Sequence, residues 1–222
     1  MPHSRSGRGS RITLFIDPPG PGLLVTVDGP NGAGKTSVAS AVAAELSAAG
    51  EPVHTTRQPS PTPLGDTIRA AERDIAGRAL ACLIAGDRQH QAQSEIIPKL
   101  HEGAIVLCDR YIESSLVLQR LDGVDVDYIL AINARIPRPS LRIRLFAQPE
   151  VLASRLAQRP SAPERRIERT GGPERELELY EEAESLLSER EQTPATAFDT
   201  SLTSAHELGA VIADLILSMR SP

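Results

Sequence analysis

Apolar residues along this chain recur at two spacings, and the switches between them mark its elements. Leu23–Asp28 (LLVTVD) is a compact β-branched run ending at Gly29, which predicts a strand. Val38, Ala41, Val42 and Leu46 then follow helical spacing through Lys35–Ala49, and Gly50 stops that helix. Val53–Thr56 predicts a second strand. Leu64–Ala85 and Asp87–Glu102 read as two helices, the second bent at Pro98. Ala104–Asp109 (AIVLCD) is continuously apolar, as expected of a strand covered on both faces. Helices near 113–121 and 125–134 lead to a strand at Leu141–Phe146. A helix over Pro149–Gln158 precedes an arginine-dense loop at 159–172, and Glu174–Glu191 reads as a long charged helix. Thr196–Asp199 predicts a last strand. Thr203–Met219 closes the chain with Leu208, Val211, Ile212, Leu215 and Ile216 on one side.

Strands separated by helices predict an α/β fold: a five-stranded, mostly parallel sheet with helices on both faces, a three-layer sandwich. Its 222 residues suffice for one domain with a proper core and are short for two. Residues 1–22 are rich in Ser, Gly, Arg and Pro and read as a mostly disordered leader, with Ile12–Ile16 adding a short extended piece. Residues 23–222 form the expected domain. A net charge of −5 offers a duplex no basic face, so nucleic acid is not an expected partner. No apolar run approaches the roughly 20 residues of a membrane span. Cys82 and Cys108 cannot build a disulfide framework, which points to a reducing cytoplasm. The histidines are scattered without metal-ligand spacing.

Gly29-Pro30-Asn31-Gly32-Ala33-Gly34-Lys35-Thr36 matches G-x-x-x-x-G-K-[ST] between a predicted strand and a predicted helix, the context in which that pattern cradles phosphates. Its glycines let the backbone wrap an anion, and the amides opening the helix point at it. Lys35 can reach the β- and γ-phosphates of a nucleoside triphosphate such as ATP, and Thr36 can offer a hydroxyl to Mg²⁺. This makes the fold a P-loop sandwich without naming a reaction.

The acceptor side narrows the choice. Arg57 and Arg110 both stand just past strand ends, where such sheets bind ligands, and planar guanidinium groups suit a phosphate acceptor. Asp109 precedes Arg110, and Arg88 lies within a helix. Each has a plainer reading: Arg57 paired with a surface carboxylate, Asp109-Arg110 as a turn, Arg88 as a solvated residue. Asp28 is either a ligand of metal-bound water or a buried hydrogen-bond acceptor.

These segments together resemble the thymidylate kinase family. VTVDGPNGAGKTSVA is similar to its first strand and loop, TRQPSPTPLG to its T-R-E-P segment, and AGDRQHQAQSEIIPKL to its A-D-R-x-x-H helix. VLCDRYIESSLVLQ resembles its D-R-[YH] strand end with the downstream S-S-x-x-Y-Q, and RLAQRPSAPERRIE its lid. The resemblance implies a phosphotransferase that uses ATP and Mg²⁺ on a nucleotide acceptor, and a homodimer. It implies that Arg57 and Arg110 hold the acceptor phosphate, Asp109 orders Mg²⁺ with Thr36, and Arg88 faces the acceptor base beside Ser115 and Gln119. Gly32 stands where some members carry an arginine. Members without it use lid arginines, of which Arg166, then Arg159, match best here; Arg155, Arg165 and Arg169 are also at hand.

The departures gather on the acceptor pocket. Ile84 replaces an aromatic ring that stacks on the base, and Leu118 a tyrosine under the sugar. Asn31 replaces a loop carboxylate, Gln58 the Glu of T-R-E-P, and Ser60-Pro61 a pair of glycines. Loss of stacking removes about 1–3 kcal/mol per base. The phosphate-handling half is kept while the base- and sugar-handling half is altered, so the expected acceptor is a nucleoside monophosphate, dTMP or a related nucleotide in its place, with two alternatives: a kinase of a nucleoside or specialised metabolite, or a non-catalytic ATP-binding module.

Overall fold

The computed structural model describes residues 12–18, 20–158 and 171–220. Five strands form one sheet in the order β3 (Val53–Arg57), β4 (Ile105–Asp109), β2 (Leu23–Asp28), β6 (Leu141–Phe146) and β7 (Ala195–Asp199). Every neighbouring pair is parallel, so the sheet is wholly rather than mostly parallel. Side chains alternate across it. Val25, Val27, Ile105, Leu107, Ile143 and Leu145 pack on one face with α1 (Lys35–Ala48) and α9 (Ala205–Arg220). Leu24, Val106 and Cys108 face the other layer, which includes α3 (Gly77–Gln91), α5 (Ile112–Leu121), α6 (Val126–Ile132) and α8 (Gly172–Glu191). Burial on both sides explains the unbroken apolar run of β4.

Helices α2 (Pro63–Ala71) and α3 replace the expected 64–85 helix, and the break falls before Gly77, whose φ is 63°. Gly86 does not end α3, because it sits on the exposed face and costs only about 1 kcal/mol relative to alanine. The rod continues through a π turn at Ala92–Ile96 into α4 (Ile97–His101). Pro98 lies in the first turn of α4, immediately after that wide turn, where its missing N–H breaks no regular ladder. On α9, Val211 is 55% exposed rather than buried. The buried face centres on Gly209, Ile212, Ala213 and Ile216 instead, because Gly209 admits α1 so closely that a Cβ there would lie 2.6 Å from the Ala41 Cβ.

A second, two-stranded parallel piece joins β1 (Phe15–Ile16) to β5 (Ile136–Pro137). Residues 1–11 of the expected leader lie outside the described residues, whereas Leu14 and Phe15 are buried in the core against the α5–α8 layer. The remaining helix, α7 (Pro149–Ala157), follows β6. Among the described residues no helix is long and apolar enough to cross a membrane.

Candidate active site

The site sits at the carboxyl ends of β2, β3 and β4, where the parallel sheet hands its chain to loops. The phosphate loop leaves β2 at Gly29, whose φ of 144° and tight approach to the Leu145 carbonyl leave no room for a Cβ. Gly34, at φ 83°, turns the chain into α1. The buried Lys35 ammonium donates to the Gly29 and Pro30 carbonyls, each at 2.8 Å. Burial lowers its pKa to about 7, with Arg110 adding to the shift, against Asp109, Glu176 and Asp28.

Thr36 donates its hydroxyl to Asp109 Oδ2 at 2.6 Å, while the buried Asp109 Oδ1 has no partner among the described residues. A hydroxyl and a half-free carboxylate are hard oxygen donors of the kind Mg²⁺ takes. Asp28 is buried and accepts at one oxygen only, its Oδ2 having no partner among the described residues. Its Oδ1 receives the Tyr111 and Ser114 amides, both at 3.1 Å, and the Ser114 hydroxyl at 2.6 Å, so it caps the start of α5.

Arg57, Arg88, Arg110, Ile84, Ser115, Leu118 and Gln119 all line one cavity of about 360 Å³, together with Thr36 and Asp109. Arg57 is exposed to it and makes no side-chain hydrogen bond or ion pair among the described residues. Arg110 adopts a left-handed backbone, φ 73°, uncommon for a side chain with a Cβ. Its guanidinium donates to Asn31 Oδ1 at 2.8 Å and to Ser114 Oγ at 3.2 Å. Burial acts to lower its pKa, but Tyr180, Asp109, Glu176 and Asp28 together hold it above the ordinary value.

Arg88 is buried rather than solvated. It donates through Nε to Gln58 Oε1 at 2.7 Å and through Nη2 to Ser115 Oγ at 2.7 Å and the Tyr111 carbonyl at 3.3 Å; Nη1 reaches Asn133 Oδ1. Gln119 bonds Ser115 through Nε2, and its buried Oε1 has no partner among the described residues. Asp87 accepts from both the amide and the hydroxyl of Ser60, at 2.6 Å each, which fixes the turn after β3 despite the absent glycines.

Several members of the site carry no sequence signal. Glu176 of α8 accepts from the Asn31 amide and side chain, both at 3.1 Å, and Asn133 is held in place only by the fold. Arg69 and Glu72 reach the cavity from α2 and its end. Arg155, named from the sequence with the lid arginines, lies on α7 and donates to the Gly32 carbonyl at 3.3 Å and to Thr200. Arg159 and Arg166, with Arg165 and Arg169, lie outside the described residues.

Comparison with known proteins agrees with this geometry. The family model for thymidylate kinase matches residues 27–192. A probable thymidylate kinase of Caldivirga maquilingensis is 40% identical over 141 residues, covering 62% of this chain and 69% of the relative. A thymidylate kinase of Xanthomonas euvesicatoria pv. vesicatoria is 36% identical over 154 residues, 68% of this chain and 67% of that one. A probable thymidylate kinase of Archaeoglobus fulgidus is 33% identical over 138 residues, with 62% and 70% coverage. With a phosphate loop facing an arginine-lined cavity and a family match across most of its length, the chain belongs to the thymidylate kinase family and is a phosphotransferase of that general class.

Proposed function

We propose that this enzyme transfers the γ-phosphoryl group of ATP to a nucleoside monophosphate, dTMP or a close relative, with Mg²⁺. The observation that carries the reading is one cavity shared by Arg57 and Arg110, by the Thr36–Asp109 pair, and by the Arg88–Ser115–Gln119 cluster. The loop amides and Lys35 would bind the donor's β- and γ-phosphates. Arg57 and Arg110 would clamp the acceptor phosphate, one of whose oxygens attacks the γ-phosphorus as the bond to the bridging oxygen breaks. The products are ADP and a nucleoside diphosphate. Thr36 and Asp109 would hold Mg²⁺, which neutralises phosphate charge when bound; the unpartnered Asp109 Oδ1 supports this assignment. Residues 23–222 carry the kinase machinery, with 159–172 as the lid that supplies Arg159 and Arg166 to the transferring group.

At the base end, donors on Arg88 stand beside Gln119, whose buried Oε1 is unpaired among the described residues. That mixture suits a base edge presenting both a carbonyl and an N–H, as thymine and uracil do. Steady-state assays over dTMP, dUMP, UMP, dCMP and dGMP test the reading. Turnover of a pyrimidine monophosphate with release of ADP is expected; ADP release unaffected by any of them would sink it. The aliphatic walls at Ile84 and Leu118 favour a second reading, a kinase of a different small acceptor, which predicts turnover only when a non-nucleotide acceptor is supplied. The proposed assembly is a homodimer, and a monomer's mass by light scattering would remove that part.

A further inference from the structure

The cation at the base end is held by neutral groups only. Gln58, Asn133, Ser115 and the Tyr111 carbonyl are the hydrogen-bond partners of Arg88, and no carboxylate forms an ion pair with it among the described residues. Its orientation therefore depends on hydrogen-bond directionality rather than on charge pairing. The partner at Nε is an amide, and an amide can face either way: with its oxygen toward Arg88 it accepts, with its nitrogen it opposes a donor.

Arg88 can only donate, and a second constraint on the direction lies one residue further from the cavity. Gln91, at the end of α3, is buried, and its Nε2 lies 2.8 Å from Thr56 Oγ1, 3.1 Å from the Arg57 carbonyl and 3.0 Å from Glu95 Oε2. The carbonyl and the carboxylate can only accept, so the nitrogen of Gln91 must face them. Its oxygen is then left for Gln58 Nε2, at 3.1 Å, and the oxygen of Gln58 for Arg88. The direction of each bond follows from the one before it. The π turn at Ala92–Ile96 carries Glu95, whose other oxygen meets His54 Nε2 at 2.8 Å. A glutamate at position 58 could pair with Arg88 but could donate nothing to Gln91, which gives a physical reason for the amide found there.

We propose that Gln91 is a positioning residue for the acceptor cavity: by fixing which way the Gln58 amide faces, it holds the Arg88 guanidinium at the cavity wall. The role rests on the acceptor reading given above. Gln91 touches neither nucleotide. It acts through Gln58, so its loss is felt by the acceptor and not by the donor.

The experiment uses the full-length chain and the variants Gln91→Leu, Gln91→Glu, Glu95→Ala, Gln58→Leu and the Gln58→Leu/Gln91→Leu double. Calorimetric titrations with dTMP, dUMP, UMP, dCMP, dGMP and ADP are read beside the Arg88 Nε–H resonance and the kcat and KM for the best acceptor. Gln91→Leu is expected to weaken the best-bound monophosphate about tenfold, to shift the Arg88 resonance and to leave ADP affinity within about twofold. Gln91→Glu keeps the size but loses the donor and meets Glu95, so its loss is at least as large. Glu95→Ala leaves the Thr56 and Arg57 acceptors in place and costs less than about threefold. The double variant binds no worse than Gln58→Leu alone, because the two residues act in series.

Unchanged monophosphate binding by Gln91→Leu, equal loss of ADP and monophosphate, or multiplying losses in the double variant would each overturn the proposal. A wild-type chain that binds ADP but none of dTMP, dUMP, UMP, dCMP and dGMP overturns the acceptor reading and this role with it. A wild type that binds one, matched by a Gln91→Leu variant that binds it equally, overturns the role alone.

Discussion

The two ends of the cavity treat charge in opposite ways. At the phosphate end, Arg57 has no side-chain partner among the described residues, Asp109 keeps one buried oxygen free, and burial presses the Lys35 ammonium toward neutrality. At the base end, Arg88 spreads its donors over four neutral groups, and Gln58 and Gln91 are likewise engaged on both sides. Groups without partners gain most from a polyanion and lose little protein structure when removed. Groups engaged on several sides hold shape, and their removal leaves buried polar atoms stranded. Function and stability should therefore separate along the cavity.

The sharpest test is Lys35→Ala, which is expected to lower kcat by about 10²–10³-fold while circular dichroism shows the fold retained, with a small loss of melting temperature from the two loop carbonyls it leaves. Arg57→Ala follows, with acceptor KM rising about 10- to 100-fold in steady-state assays, the worth of a charge-assisted bond, and no loss of melting temperature. An unchanged KM would take Arg57 out of the clamp and blur the contrast. Asn133→Ala inverts the pattern: it strands a buried guanidinium N–H and should destabilise the protein by about 1–3 kcal/mol in urea unfolding. The smallest change is expected from Ile84→Phe. A ring at that wall should tighten a nucleobase by about 1 kcal/mol in calorimetry, and no gain would favour the non-nucleotide acceptor.

How much of this was readable beforehand depends on the distance over which each role is decided. The phosphate loop is contiguous, so eight neighbouring residues declare it, and the sheet follows from short apolar runs whose burial on both faces leaves no alternation. Arg57, Asp109 and Arg110 were legible because strand ends converge in a parallel sheet. Arg88 was found, but its burial was not, since nothing near it in sequence reveals Asn133, 45 residues away. Nothing in the sequence singles out Gln91, whose bond to Gln58 spans 33 positions. The helix boundaries near Gly77 and Gly86 were misjudged for a simpler reason: glycine can end a helix or ride on its exposed face, and only the surroundings decide. Val211 failed likewise, because the close approach at Gly209 turned α9 away from the face its apolar residues suggested.

Two bonds described separately share an address. Arg155, near the end of α7, grips the Gly32 carbonyl, and Glu176, near the start of α8, grips Asn31. Helices α7 and α8 are thus each tied to one of two consecutive residues of the same loop, like two ropes on one peg. A change of backbone at Asn31 or Gly32 therefore bears on both helices at once.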